Sequence, residues 1–109
     1  MRWPKWFLTL AELLLPARAL IVVEGGDLPG KLPRRDLVLL RESSEDWSVA
    51  MRCPCGCGQK VELALMPEAQ PRWILQGGPD RSPTLEPSVW LRDGCRSHYF
   101  VRRGKVQWA

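Results

Sequence analysis

Trp47-Ser48-Val49-Ala50-Met51-Arg52-Cys53-Pro54-Cys55-Gly56-Cys57-Gly58-Gln59-Lys60-Val61-Glu62-Leu63-Ala64-Leu65 is the stretch that decides the fold. Trp47 to Met51 alternates into a cysteine-rich segment, and Val61, Leu63 and Leu65 alternate with Glu62 and Ala64 directly after it. Side chains of a strand point to opposite faces at period two, so the pattern predicts two strands joined by a turn that carries the thiols. Gly and Pro between the cysteines allow the tight turns that aim several sulfurs at one point, and a metal knuckle is the natural occupant.

Working outward, Gly94-Cys95-Arg96-Ser97-His98 holds the fourth cysteine and the only histidine of the chain. Thr84 to Leu91 leads into that cluster through Asp93-Gly94, and Tyr99 to Val101 pairs with Val106 to Trp108 around Arg103-Gly104, a hairpin signal. Ala19 to Val23 reads as a strand closed by a turn at Gly25-Gly26-Asp27, Leu37 to Leu40 as a further apolar run, and Arg72 to Leu75 as a short strand before a Gly77-Gly78-Pro79-Asp80 loop. Leu8 to Leu15 has apolar positions at helical spacing and is stopped by Pro16; core packing is the expected use of that face. The fold class expected is mostly β (β-rich α+β): short antiparallel strands with an N-terminal helix and a zinc knuckle, as a single domain over residues 1–109.

With 109 residues the chain buries only about 65–70% of its unfolded surface, so a metal staple would help its modest core. A 45% hydrophobic content and six Trp argue against a disordered basic peptide. Sixteen Lys plus Arg against twelve Asp plus Glu leave +4, a mild excess common on solvated surfaces. Trp6 to Leu15 superficially resembles a signal peptide. Glu12 interrupts its apolar run and Arg18 occupies the cleavage region, while a membrane span needs about 18 apolar residues. The expectation is a cytoplasmic protein without membrane contact, whose reduced thiols bind metal rather than form disulfides.

Tetrahedral zinc takes four ligands, and Cys53, Cys55, Cys57, Cys95 and His98 offer five. Either the four cysteines bind and His98 is free, or His98 binds in a Cys-x-x-His knuckle and one thiol of the first cluster is spare. A Rieske centre needs two histidines and is excluded; a four-cysteine iron-sulfur cluster is the less favoured metal reading. A catalytic zinc would want an open position and a base such as Glu62, whereas thiolate-rich zinc is a poor Lewis acid, so a closed structural site is expected.

A free His98 can serve a serine. Adjacent strand residues face opposite ways, which favours Ser88 over Ser97 as its partner; Asp27, Glu24 or Asp93 could orient the imidazole. Arg92, Arg96, Arg102, Arg103 and Lys105, interleaved with Trp90, Tyr99 and Trp108, could form a nucleic-acid face, but strand alternation is expected to bury these aromatics, so nucleic acid is disfavoured.

Cys53-Pro54-Cys55-Gly56-Cys57-Gly58, Pro71-Arg72-Trp73, Thr84-Leu85-Glu86-Pro87-Ser88-Val89-Trp90, Gly94-Cys95-Arg96-Ser97-His98-Tyr99 and Gly104-Lys105-Val106-Gln107-Trp108 together resemble the BubE family of small bacterial proteins encoded beside ubiquitin-like conjugation genes. The resemblance extends over nearly the whole chain. It implies a serine-type peptidase that processes or deconjugates a ubiquitin-like protein, with that modifier and its activating or conjugating enzymes as partners and antiphage defence as the setting. It also implies structural Zn²⁺ on Cys53, Cys55, Cys57 and Cys95, and His98 with Ser88 or Ser97 as the reactive pair. Backbone N–H groups around Gly94 and Cys95 are the expected oxyanion donors. Tyr99 stands where Phe is expected, a change that leaves the metal motif whole. The competing class is a non-catalytic zinc adaptor that docks the modifier or a conjugating enzyme.

Overall fold

The computed structural model describes residues 4–25, 27–77 and 82–109, so the expected turns at Gly25-Gly26-Asp27 and Gly77-Gly78-Pro79-Asp80 lie partly outside the described residues. Helix α1 (Lys5–Leu14) is followed by β1 (Leu20–Glu24), β2 (Leu37–Glu42), β3 (Glu45–Arg52), β4 (Lys60–Ala64), β5 (Ile74–Gln76), β6 (Thr84–Trp90), β7 (His98–Arg102) and β8 (Lys105–Trp108). They form two four-stranded sheets with strand orders β1-β2-β3-β4 and β5-β6-β7-β8.

Alternation puts Leu37, Leu39, Val49, Met51, Val61 and Leu63 of the first sheet in one buried cluster with Leu85, Val89, Tyr99, Val101 and Val106 of the second. The Tyr99 hydroxyl meets Met51 Sδ across it at 3.6 Å. The first sheet is also covered behind: Val38 and Ala50, cross-strand partners, pack with Leu32 in a second small cluster against Val23 and Leu28. Burial on both faces suits a parallel neighbour, and β1 runs parallel to β2, where only antiparallel pairing was expected.

The hairpin turns follow from local geometry. Ser43 and Ser44 (φ 53° and 68°) join β2 to β3, and Arg103 and Gly104 (φ 50° and 74°) join β7 to β8, the paired positive φ values of a two-residue hairpin. Gly104 is required twice over, because a Cβ there would stand 2.8 Å from Arg18 O.

Helix α1 overturns the expectation of an apolar face in the core. Trp6, Leu10, Leu13, Leu14 and Leu15 are exposed, Leu8 alone among its leucines packs partly on the core, and the buried helical residue is Glu12. Its carboxylate accepts the Val106 N–H on the free side of the edge strand β8 (2.8 Å) and a two-pronged pair from Arg18 (2.9 Å each). Lys105 Nζ donates to the carbonyls of Glu12 (2.8 Å) and Leu15. An unpaired strand edge invites association, and here a carboxylate and a helix close it. Burial alone would raise the Glu12 pKa; the Arg18 and Val106 hydrogen bonds, with the charges of Arg18 and Arg35, bring it below the usual value. No helix among the described residues is long and apolar enough to cross a membrane.

Candidate active site

Ser88 is placed by an irregularity in β6. Leu85 pairs with Val101 and Val89 with Tyr99, so Glu86, Pro87 and Ser88 stand opposite Phe100 alone. Pro87 has no N–H to give a ladder, and a bulge of this kind re-aims the side chains within it. Ser88 Oγ consequently lies 2.8 Å from His98 Nε2, within the reach expected of a nucleophile and its base. The backbone of Ser88 is held from behind: Trp73 donates its main-chain N–H to Ala64 O (2.9 Å) in the first sheet and its indole N–H to Ser88 O (3.3 Å) in the second. The indole role of Trp73 is not visible in the sequence, whose only signal is the Pro71-Arg72-Trp73 triplet.

His98 is flanked by rings. Trp90, its cross-strand partner, stacks on it at 5.0 Å and 15°, and Phe100 lies tilted at 6.1 Å. Trp90 is 54% exposed while Tyr99 is fully buried, so the expected burial of the aromatics fails at Trp90 and holds at Tyr99. Glu24 ends β1 in the other sheet, Asp27 follows it in a loop, and Asp93 sits in the turn ahead of Cys95. No carboxylate among the described residues hydrogen-bonds to His98, whose other neighbours besides Ser88 are aromatic rings.

Ser97, next in sequence, faces the other way. Its hydroxyl lies 3.1 Å from Cys95 Sγ and 3.5 Å from Cys53 Sγ, buried among thiols rather than beside His98. Strand alternation thus sends neighbouring side chains of one motif to opposite faces.

The thiols of Cys53, Cys55, Cys57 and Cys95 lie within 4.8 Å of one another. The approaches of Cys53 to Cys55 and to Cys95 are 3.4 and 3.5 Å, close to the edge of about 3.8 Å that four ligands at roughly 2.3 Å would make around a tetrahedral ion. Left-handed Gly56 and Gly58 wrap the first cluster, with Gln59 N–H donating to Cys57 Sγ (3.4 Å) and Cys53 N–H to Gln59 O (2.8 Å). Gly94 and Arg96, also at positive φ, turn Cys95 inward, and Arg96 N–H closes that turn on Asp93 O. Burial pushes the Cys53 thiol up. It acts upward on Cys95 too, but the Ser97 hydroxyl and backbone N–H and the Cys53 and Cys55 thiols outweigh it and lower Cys95 to about 6. The four cysteines can hold a metal ion, while His98 Nε2 is engaged by Ser88. Glu62, the suggested base for a catalytic metal, is on the far face of the first sheet, where Ser48 Oγ donates to it at 3.2 Å.

The model of one protein family, described as bacterial ubiquitination-like system serine protease (BubE), matches residues 24–109. Neither a curated protein nor a solved structure gives a match. The matched span contains the thiol cluster, Trp73, Ser88 and His98, and leaves helix α1 outside it. With most of the chain covered, the protein belongs to the BubE family, a serine protease family of a bacterial ubiquitination-like system.

Proposed function

We propose that this protein is a cytoplasmic serine-type peptidase that cleaves the peptide or isopeptide bond at the C-terminal end of a ubiquitin-like modifier. The observation that carries the reading is the 2.8 Å contact between Ser88 Oγ and His98 Nε2. Ser88 attacks the scissile carbonyl while its proton passes to His98. The imidazolium then protonates the departing amine, and water, deprotonated by the same imidazole, releases the modifier from the acyl-serine. The ring faces of Trp90 and Phe100 restrain the imidazole.

Cys53, Cys55, Cys57 and Cys95 would hold Zn²⁺ as a structural ion that ties the two turns together. Ser97 supports that cluster, and its hydroxyl donates to Cys95 once the sulfur is a thiolate. The partners are the modifier and the enzymes that activate and conjugate it.

Incubating wild-type protein, Ser88→Ala, Ser97→Ala and His98→Ala with a precursor of the modifier carrying residues beyond its mature C-terminus tests the reading. Loss of cleavage in Ser88→Ala and His98→Ala, with retention in Ser97→Ala, supports it. Cleavage that survives Ser88→Ala removes the dyad mechanism. Binding of the precursor without cleavage by the wild type favours the adaptor.

A further inference from the structure

The dyad sits in the middle of an unbroken row of side chains on the open face of the second sheet. Arg92 lies over the Trp90 ring at 4.4 Å, Trp90 stacks on His98 at 5.0 Å, Phe100 follows at 6.1 Å, and Arg102 lies over Phe100 at 4.2 Å. Arg92 and Arg102 are exposed, and neither has a carboxylate partner among the described residues; Arg102 is steadied by Gln107 Oε1 at 3.0 Å. On the four strands of this sheet Glu86 is the one carboxylate. A cavity of about 490 Å³ between His98, helix α1 and the thiol turn is lined by Lys5, Leu8, Cys55, Arg96 and Trp108, and none of its described lining residues is acidic.

We infer that this face docks an acidic, extended polypeptide segment, with carboxylates on both sides of the bond presented to Ser88. The inference rests on the peptidase reading and adds the character of the segment taken. His98, Phe100 and Arg102 alternate along β7 and Trp90 stands opposite His98 on β6, so a chain that meets both arginines and reaches Ser88 Oγ lies along the sheet as an extended strand. The two guanidiniums then bracket it, and planar guanidinium groups pair well with carboxylates. Single-stranded nucleic acid fits less well, because it needs free ring faces for its bases. Trp90 already carries both His98 and Arg92, and Phe100 carries Arg102, so stacking would have to displace a partner.

The experiment uses the Ser88→Ala protein, which binds without turnover, and fluorescence anisotropy of three labelled probes: a peptide of alternating Glu and Gly, the same peptide with Gln for Glu, and oligo(dT). The Glu peptide is expected to bind about tenfold tighter than the Gln peptide, the scale of two partly exposed ion pairs, and the gap should shrink with added salt. Adding Arg92→Gln and Arg102→Gln should close the gap, whereas Arg41→Gln, at an arginine of the other sheet paired with Asp46, should leave it. Equal affinity for the two peptides, no detectable binding of either, a gap that persists without both arginines, or tighter binding of oligo(dT) overturns the inference. Failure of the peptidase reading shows separately, as absence of precursor cleavage by the wild type.

Discussion

At the scale of single residues, one motif reaches two clusters because neighbouring side chains of a strand diverge. Ser97 turns in to the thiols, and His98 turns out to Ser88. Ser97→Ala is therefore expected to weaken metal affinity by about ten- to a hundredfold, as loss of a supporting hydrogen bond does, while the metal-loaded protein still cleaves. Competition with a chromogenic chelator reads the first effect and precursor cleavage the second; loss of turnover at full metal loading would return Ser97 to the reactive pair. That Ser97 and His98 face opposite ways was legible in the sequence because alternation is a local rule. The stacking of Trp90 and the indole bond of Trp73 were not, since both depend on how far the bulge at Glu86 to Ser88 displaces the strand.

At the scale of elements, the thiol-bearing hairpin, the Arg103-Gly104 hairpin and a helix near the N-terminus were all readable from period and turn residues. The face the helix buries was not. Periodicity counts apolar positions, whereas docking here is decided by a carboxylate that meets Arg18 and a strand-edge N–H. Removing one partner of a buried pair leaves the other charge uncompensated, so Glu12→Ala should cost about 3 kcal/mol in urea unfolding. The pH dependence follows from the lowered Glu12 pKa. Its stabilisation is complete above the ordinary carboxylate range and is lost as pH falls through the depressed folded value. Wild-type protein should lose more stability than Glu12→Gln below about pH 4. Parallel acid profiles of the two would contradict the assignment of the helix anchor to this ion pair. The strand expected over Arg72 to Leu75 begins two residues later, at Ile74, because Trp73 pairs with Ala64 of the first sheet before the chain enters β5. The parallel entry of β1 was hidden by its length, since a short apolar run carries no sign of direction.

For the whole molecule, two sheets meet over one buried cluster, and the thiol group ties the β3–β4 turn of one sheet to the β6–β7 turn of the other. The thiol cluster was legible because four sulfurs in two tight groups are specific in sequence; the contact between His98 and Ser88 was not, because it depends on the irregular strand β6. A metal ion bridging turns this far apart in the chain would remove loop entropy worth about 4 kcal/mol. Stripping the metal under reducing conditions should accordingly lower Tm by more than about 10 °C and abolish cleavage with it. His98→Ala should keep both the metal and the Tm; loss of metal in that variant would make the histidine a ligand.

The dyad is tested most directly by labelling with a fluorophosphonate, which reacts with activated serines, and locating the adduct by mass spectrometry. The expected result is a single adduct on Ser88 of the wild type and none on His98→Ala. An adduct on Ser97, or a folded, metal-loaded wild type that does not react, would contradict the assignment of Ser88 and His98 as the catalytic pair.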